Sequence, residues 1–214
     1  MLYTGDGVVG HSITGVGFKP DFVWLKGRTS DGYNNILNDS VRGSKKTLFS
    51  NNTLVEYTDR GVASFDDNGF TLSKAGSDEN TSNISYVAWC WKAGGAAVSN
   101  TDGSITSQVS VNQTAGFSIG TFTGDVANTH TIGHGLGKVP SMIIVKERTG
   151  NSGWGVYHKS RGNTKVSYLN ASDPEYTESG DGGSWNTTDP TSTVFSVGKN
   201  GATNDNTLVF YAWA

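Results

Sequence analysis

KPDFVWLKGRT, Lys19 to Thr29, sets four apolar residues in a row, Phe22-Val23-Trp24-Leu25, behind a proline and ahead of a Lys-x-Arg-Thr tail. VPSMIIVKERT, Val139 to Thr149, repeats the phrase further along. A strand with one wet face alternates apolar and polar residues. These two do not, so each reads as a strand covered on both faces. One face belongs in a β-sandwich core. The other requires a sister repeat, a loop or another subunit.

Working outward, the pairs multiply. Tyr3-Thr4-Gly5-Asp6 returns as Phe122-Thr123-Gly124-Asp125, and His11-Ser12-Ile13 as His130-Thr131-Ile132. Arg42-Gly43 returns as Arg161-Gly162, and Phe49-x-Asn51 as Tyr168-x-Asn170. Phe70-Thr71-Leu72 answers to Phe195-Ser196-Val197, and YVAWCW (Tyr86 to Trp91) to LVFYAW (Leu208 to Trp213). So many pairs in one order imply a duplicated unit, with insertions confined to loops. Residues 1–95 read as the first repeat, 96–115 as a connecting segment with one strand, and 116–214 as the second repeat. Gly94-Gly95-Ala96-Ala97 has a hinge composition. Ile105, Ser107, Val109 and Val111 then alternate with polar residues as a half-buried strand.

Pro20 and Pro140 stand where a strand tolerates proline, at its start. TSDG (Thr29 to Gly32) and DDNG (Asp66 to Gly69) read as hairpin turns. No long window holds a helical period free of glycine. The expected fold is all-β: tandem, lectin-like, jelly-roll-like β-sandwich units.

Composition agrees. The 214 residues include 29 Gly, six Trp, eight Tyr and nine Phe, with only 16% charged. Disordered chains show the opposite balance. A net charge of −3 without a basic run leaves no footprint for nucleic acid. A single cysteine, Cys90, excludes an intrachain disulfide and a cysteine-built zinc site. No apolar run reaches the length of a membrane span, and Leu2-Tyr3-Thr4 after Met1 reads as no secretory leader.

Candidate sites follow from residue chemistry. His130 and His134 lie four apart, but the glycines around them forbid the helix that would align them on a metal. FDDNGF clusters oxygen donors without the spacing of a calcium loop. The carboxylate pairs Asp66-Asp67, Asp78-Glu79 and Glu175 with Glu178 lie in polar, turn-like stretches, unlike the cleft of a glycosidase. Thus no catalytic residue, metal or cofactor is assigned. Aromatics among small polar residues are the better lead. Trp154 between glycines, Trp185 in GGSWNTT, and Tyr33, placed opposite Trp154, are the candidate glycan contacts. As a loop residue, Trp185 should lose far less stability on truncation than Trp24 or Trp91, for which a core role predicts about 3–5 kcal/mol.

YTGDG, GFKPDFVWLK, SFDDNGFTL, YVAWCWKAGG and SNTDGSITS resemble a domain of unknown function in bacteriophage virion proteins, notably of phages infecting cyanobacteria and other marine bacteria. HGLGKVPSMIIVK resembles phage tail-fibre sequences. The resemblance spans essentially the whole chain and carries no site residues with it. It implies a virion-exterior structural or adhesion module: a tail fibre or receptor-binding part, non-enzymatic, homo-oligomeric with a trimer favoured. Its partners would be other virion proteins and host surface polysaccharide, without nucleic acid or membrane insertion. A capsid decoration protein and a glycan-degrading enzyme are the rival expectations.

Overall fold

The structure, a computed structural model, describes residues 1–29, 32–125, 129–178, 182–199 and 206–214. These residues are all-β, and no helix among them is long and apolar enough to cross a membrane. The chain divides into two compact units, Met1–Lys92 and Ala93–Ala214.

The first unit holds β1 (Leu2–Thr4), β2 (Ser12–Thr14), β3 (Phe22–Gly27), β4 (Ile36–Asp39), β5 (Leu48–Phe49), β6 (Val62–Asp66), β7 (Gly69–Leu72) and β8 (Ser85–Trp91). They form a five-stranded sheet, β1-β8-β3-β4-β5, and a three-stranded sheet, β2-β7-β6, with antiparallel neighbours throughout. Ile13, Val62, Phe70 and Leu72 of the small sheet share a buried cluster with Val23, Leu25, Ile36 and Ala88 of the large one. Two sheets pressed face to face on such a cluster make a β-sandwich.

The second unit holds β9 (Val98–Asn100), β10 (Ser107–Asn112), β11 (Phe117–Thr123), β12 (Thr129–Gly133), β13 (Met142–Glu147), β14 (Gly155–His158), β15 (Lys165–Tyr168), β16 (Tyr176–Thr177), β17 (Val194–Gly198) and β18 (Thr207–Trp213). The large sheet runs β16-β15-β14-β13-β18-β11-β10-β9, and β12 pairs β17. Within it the order β11-β18-β13-β14-β15 repeats β1-β8-β3-β4-β5 of the first unit. Register repeats as well. Phe22 faces Trp91 and Trp24 faces Trp89, as Met142 faces Trp213 and Ile144 faces Tyr211. Ile13 faces Phe70 as Ile132 faces Phe195.

The opening phrase now has its explanation. Val23 and Leu25 point into the first core, and Phe22 and Trp24 onto the opposite face. There Phe22 stacks on Trp91 at 5.0 Å, and Trp24 meets Trp89 edge-on at 6.2 Å. In the second unit Ile143 and Val145 enter the core, and Ile144 and Lys146 on the other face are also buried. Coverage of the second face is incomplete in the first unit, since Trp89 is 46% exposed and Trp24 and Trp91 are half-buried.

One boundary needs correction. The segment 96–115, expected to be a connection with one strand, carries β9 and β10, and both belong to the second unit's large sheet. The expected hinge is packed: the Gly94 N–H donates to Ser110 Oγ at 2.9 Å, and a Cβ at Gly94 would stand 2.4 Å from the Val111 carbonyl oxygen. Glycine serves here for close approach of two backbones rather than for flexibility.

Gly61 is the other glycine with a steric role. Its φ is +83°, and a Cβ would lie 2.2 Å from Asn38 Oδ1 and 2.4 Å from Thr47 Oγ1. Both side chains are buried and engaged, Asn38 Nδ2 donating to Thr47 Oγ1 at 2.9 Å and Thr47 Oγ1 to the Arg60 carbonyl at 2.8 Å. Gly61→Ala is expected to destabilise the first unit by about 2 kcal/mol or more, combining left-handed backbone strain with overpacking. A urea midpoint equal to that of the wild type would refute this.

Lys146 sits in the middle of a buried sheet face. Its Nζ donates to the carbonyls of Glu147 at 2.5 Å and Gly150 at 3.3 Å. Burial pushes its pKa down to about 8, with the Glu147 carboxylate acting in the opposite direction. An unfolded lysine, near about 10.4, holds a proton through a window in which the folded one has released it. Stability from this group therefore rises with pH between 8 and that value, and is lost as pH falls through 8. Lys146→Met should flatten this slope. Urea midpoints of wild type and variant, each measured at pH 8 and pH 10, isolate it from the tyrosine and cysteine titrations common to both. Identical slopes would refute the assignment.

Candidate functional site

The structure separates the three expected glycan contacts. Trp154 is 0% exposed, so neither ring face is open to a ligand. Its backbone N–H donates to Asn170 Oδ1 at 2.8 Å, the same brace that the Asn35 backbone N–H makes to Asn51 Oδ1 at 2.8 Å. Trp154 therefore stands in the place of Asn35 and not of Tyr33. Both residues lie one position before a strand, since β4 begins at Ile36 and β14 at Gly155.

Trp185 is 3% exposed and belongs to the second core, edge-on to Tyr157 at 5.7 Å. The cause is local. Asn186 and Thr187 both have positive φ, 47° and 44°. The Asn186 N–H returns to the Gly183 carbonyl at 3.0 Å, and the Thr188 N–H to the Trp185 carbonyl at 3.1 Å. These consecutive turns reverse the chain at the ring and drop it inward. Asn tolerates the left-handed conformation, so Trp-Asn was the readable signal. Thr does not, and its partner strain was not readable.

Tyr33 stays at the surface, half-buried, its ring lying over Gly27 and tilted 6.4 Å from Tyr86. Beside it the lead-in to β4 meets the loop after β5. Asn34 Oδ1 accepts from Asn51 Nδ2 at 3.0 Å and Asn52 Nδ2 at 3.1 Å. Asp78 accepts from the Asn34 N–H at 3.1 Å and from Asn34 Nδ2 at 3.2 Å, and Arg60 reaches Asp78 at 3.3 Å. Lys26 Nζ donates to Asn35 Oδ1 at 3.1 Å. The Arg60 guanidinium lies 5.0 Å from the ring centre of the exposed Tyr57, and Leu54 and Val55 earlier in the same loop are also exposed. The result is a surface of carboxamides fixed by one another, edged by aromatic and aliphatic groups. Groups held this way lose little freedom on meeting a polyhydroxylated ligand.

The other candidates are occupied structurally. Glu79 is buried, accepting from the Gly61 N–H at 2.9 Å and from Ser77 Oγ at 2.5 Å. Asp66 accepts from Thr71 Oγ1 at 2.8 Å. Glu178 accepts from the Ser184 N–H at 2.5 Å, and Glu175 lies between Arg161 and Lys165, at 3.7 and 3.5 Å. His134 accepts the Leu136 N–H on Nδ1 at 3.1 Å and places Nε2 3.2 Å from the Thr191 carbonyl, which fixes the Nε2–H tautomer. Burial lowers its pKa. His11 and His130 each lie against the aspartate of the repeated Thr-Gly-Asp phrase, at 3.4 Å from Asp6 and 2.8 Å from Asp125. The Val8 N–H and then the Asn80 amide hold the Asp6 carboxyl below its ordinary range. No group of three or more His, Cys, Asp or Glu suited to a metal occurs among the described residues.

Residues 1–214, the whole chain, match the family model of a domain of unknown function, DUF7483. The chain belongs to that family. No curated protein and no solved structure matches it. For DUF7483 the present fold therefore supplies the structural frame: two sandwich units of matching strand order, one carrying the amide-lined surface around Tyr33. That surface is not duplicated. Where the first unit has Tyr33, Asn34 and Asn35, the second has Ser152, Gly153 and the enclosed Trp154 ahead of its strand.

Proposed function

We propose that this chain is a non-enzymatic binding module on the exterior of a bacteriophage virion, in a tail fibre or receptor-binding part, built from two copies of one ancestral sandwich. It contacts host surface polysaccharide through the amide-lined surface of the first unit. The observation that supports this most is the mutual fixing of Asn34, Asn51 and Asn52 beside the half-buried Tyr33 ring. Carboxamides supply paired donors and acceptors for hydroxyls, and an aromatic ring offers an apolar plane to a sugar face. The sequence resemblance to virion proteins supports the particle location. On this reading the chain assembles as a homo-oligomer, a trimer by preference, with other virion proteins as neighbours.

An array of host-surface glycans tests it. Wild type is expected to bind, and Tyr33→Ala and Asn35→Ala are each expected to weaken binding by about tenfold, equivalent to about 1.4 kcal/mol. Trp154 and Trp185 variants are poor probes here, because both rings lie inside the fold. Absence of binding across the array would remove the glycan role and leave an architectural one. A capsid decoration protein is the alternative, and locating the chain in a reconstruction of whole particles decides between tail and head. Shortened polysaccharide after incubation with the protein would overturn the non-enzymatic reading.

A further inference from the structure

The phrase Lys-x-Arg-Thr closes a central strand in each unit, as Lys26-x-Arg28-Thr29 and as Lys146-x-Arg148-Thr149. The two copies are used differently. In the second unit Lys146 is 1% exposed and directs its ammonium to the carbonyls of Glu147 and Gly150. It lies one step beyond the Val145–Gly155 pair, at the place across the strands from the enclosed Trp154. Arg148 is half-buried. In the first unit Lys26 and Arg28 are both exposed. They are two apart on β3 and its extension, where the Arg28 N–H still donates to the Ser85 carbonyl at 2.7 Å. Both side chains therefore leave the same side of the sheet, away from the core residues Val23 and Leu25.

Lys26 is joined to the amide surface. One step beyond the Leu25–Ile36 pair it meets Asn35, its Nζ donating to Asn35 Oδ1 at 3.1 Å. The Asn35 backbone N–H donates to Asn51 Oδ1 at 2.8 Å, and Asn51 Nδ2 to Asn34 Oδ1 at 3.0 Å. The bonds thus run unbroken from the ammonium into the carboxamides beside Tyr33. Among the described residues neither Lys26 nor Arg28 meets a carboxylate. The carboxylates of the neighbouring loops have cations of their own: Asp78 has Arg60 at 3.3 Å, Glu56 has Arg42 at 2.9 Å, and Asp59 has Lys74 at 2.7 Å. Asp78 also accepts from the N–H and Nδ2 of Asn34. Among the described residues, then, the β3 rim of this surface keeps two positive charges that the fold does not neutralise.

We infer, resting on the glycan role above, that the polysaccharide taken by this surface is anionic, and that Lys26 and Arg28 receive its carboxylate or sulfate groups. An ammonium has three donors, and Asn35 takes one of them. A guanidinium presents its donors as a fork that fits two oxygens of one acid group. Hydroxyls alone would leave both charges to water. The chain carries a net charge of −3, which offers a polyanion no general attraction. Selectivity for charge therefore falls to these two side chains, and only in the unit that carries the amides are they presented outward.

The test titrates the full chain with polygalacturonate, dextran sulfate and uncharged dextran. At least one of the two polyanions is expected to bind more tightly than dextran, and the tighter of them identifies the group as carboxylate or sulfate. Combining Lys26→Gln with Arg28→Gln removes both charges and keeps amide donors in their place. It is expected to weaken polyanion binding by about tenfold at low salt. In about 1 M salt, where charges are screened beyond about 3 Å, wild type is expected to lose its advantage over this variant. Lys45→Gln, an exposed position past β4 at the opposite end of the sheet, is expected to bind as wild type does. Dextran bound as tightly as both polyanions, or Lys45→Gln weakened as much as the double variant, would overturn the inference. The array of host-surface glycans separates its failure from that of the glycan role. Binding by uncharged members alone overturns the anionic preference and leaves the glycan role standing, whereas an array without binding removes both.

Discussion

Alanine at position 185 is expected to cost the second unit about 3–5 kcal/mol, the range for emptying a buried aromatic site. Trp185 packs within the cluster that holds Tyr157, Val166 and Phe195, and is 3% exposed. The expectation drawn from sequence is reversed, because the half-buried Trp24 and Trp91 now carry the smaller losses. Trp89→Ala, at 46% exposure, should cost under about 1 kcal/mol. Trp185 Nε1 is buried and has no hydrogen-bond partner among the described residues. Trp185→Phe removes that orphan donor with a smaller cavity, so it should cost well under half of the alanine change. Urea unfolding of the three variants gives the order. A Trp185→Ala midpoint matching that of Trp89→Ala would mean that the ring is not part of the core.

Arg42→Met is expected to be equally damaging, at about 3–5 kcal/mol, because it leaves carboxylates buried without their cation. Arg42 Nε donates to Asp39 Oδ2 at 2.6 Å, one terminal nitrogen to Glu56 Oε2 at 2.9 Å, and the other to the Leu37 carbonyl at 3.0 Å. The side chains of Arg42 and Asp39 are 0% exposed and that of Glu56 is 9% exposed. Arg42→Lys keeps the charge, but its single ammonium cannot span three acceptors in a fork, so an intermediate loss is expected. Replacing Asp39, Arg42 and Glu56 together by apolar residues should recover most of the loss, since the ions also carry their own burial cost. If the single variant unfolds at the wild-type midpoint, the cluster does not bear on stability. Arg161, which follows its strand as Arg42 does, is half-exposed and 3.7 Å from Glu175, so its removal should be mild.

That contrast shows where sequence reading stops. Arg42-Gly43 and Arg161-Gly162 look alike as text, yet only one arginine is enclosed. The enclosed places of β3 and β13, by contrast, are legible in FVWL and MIIV, because runs without alternation mark strands covered on both faces; the strand order is not. Burial of Trp154 and Trp185 escaped notice because glycine neighbours suit an exposed loop and a tight inward turn equally well. The Gly94-Gly95 stretch misled for a related reason, since composition does not separate a hinge from a close backbone crossing. Tyr33 was legible as a surface aromatic, but the amides around it were not. They converge from positions 34, 51, 52 and 78, and no local spacing records that meeting.

The pairing of each unit's last strand with one far back in the chain has a kinetic consequence. Leu2 meets Val87, and Phe117 meets Trp213. Each closure spans nearly a full unit, and such distant pairings make folding slow, on the millisecond-to-second scale. During synthesis neither half can complete its large sheet until its final ribbon has left the ribosome. Until then the central ribbons, with their aromatic rings, wait uncovered.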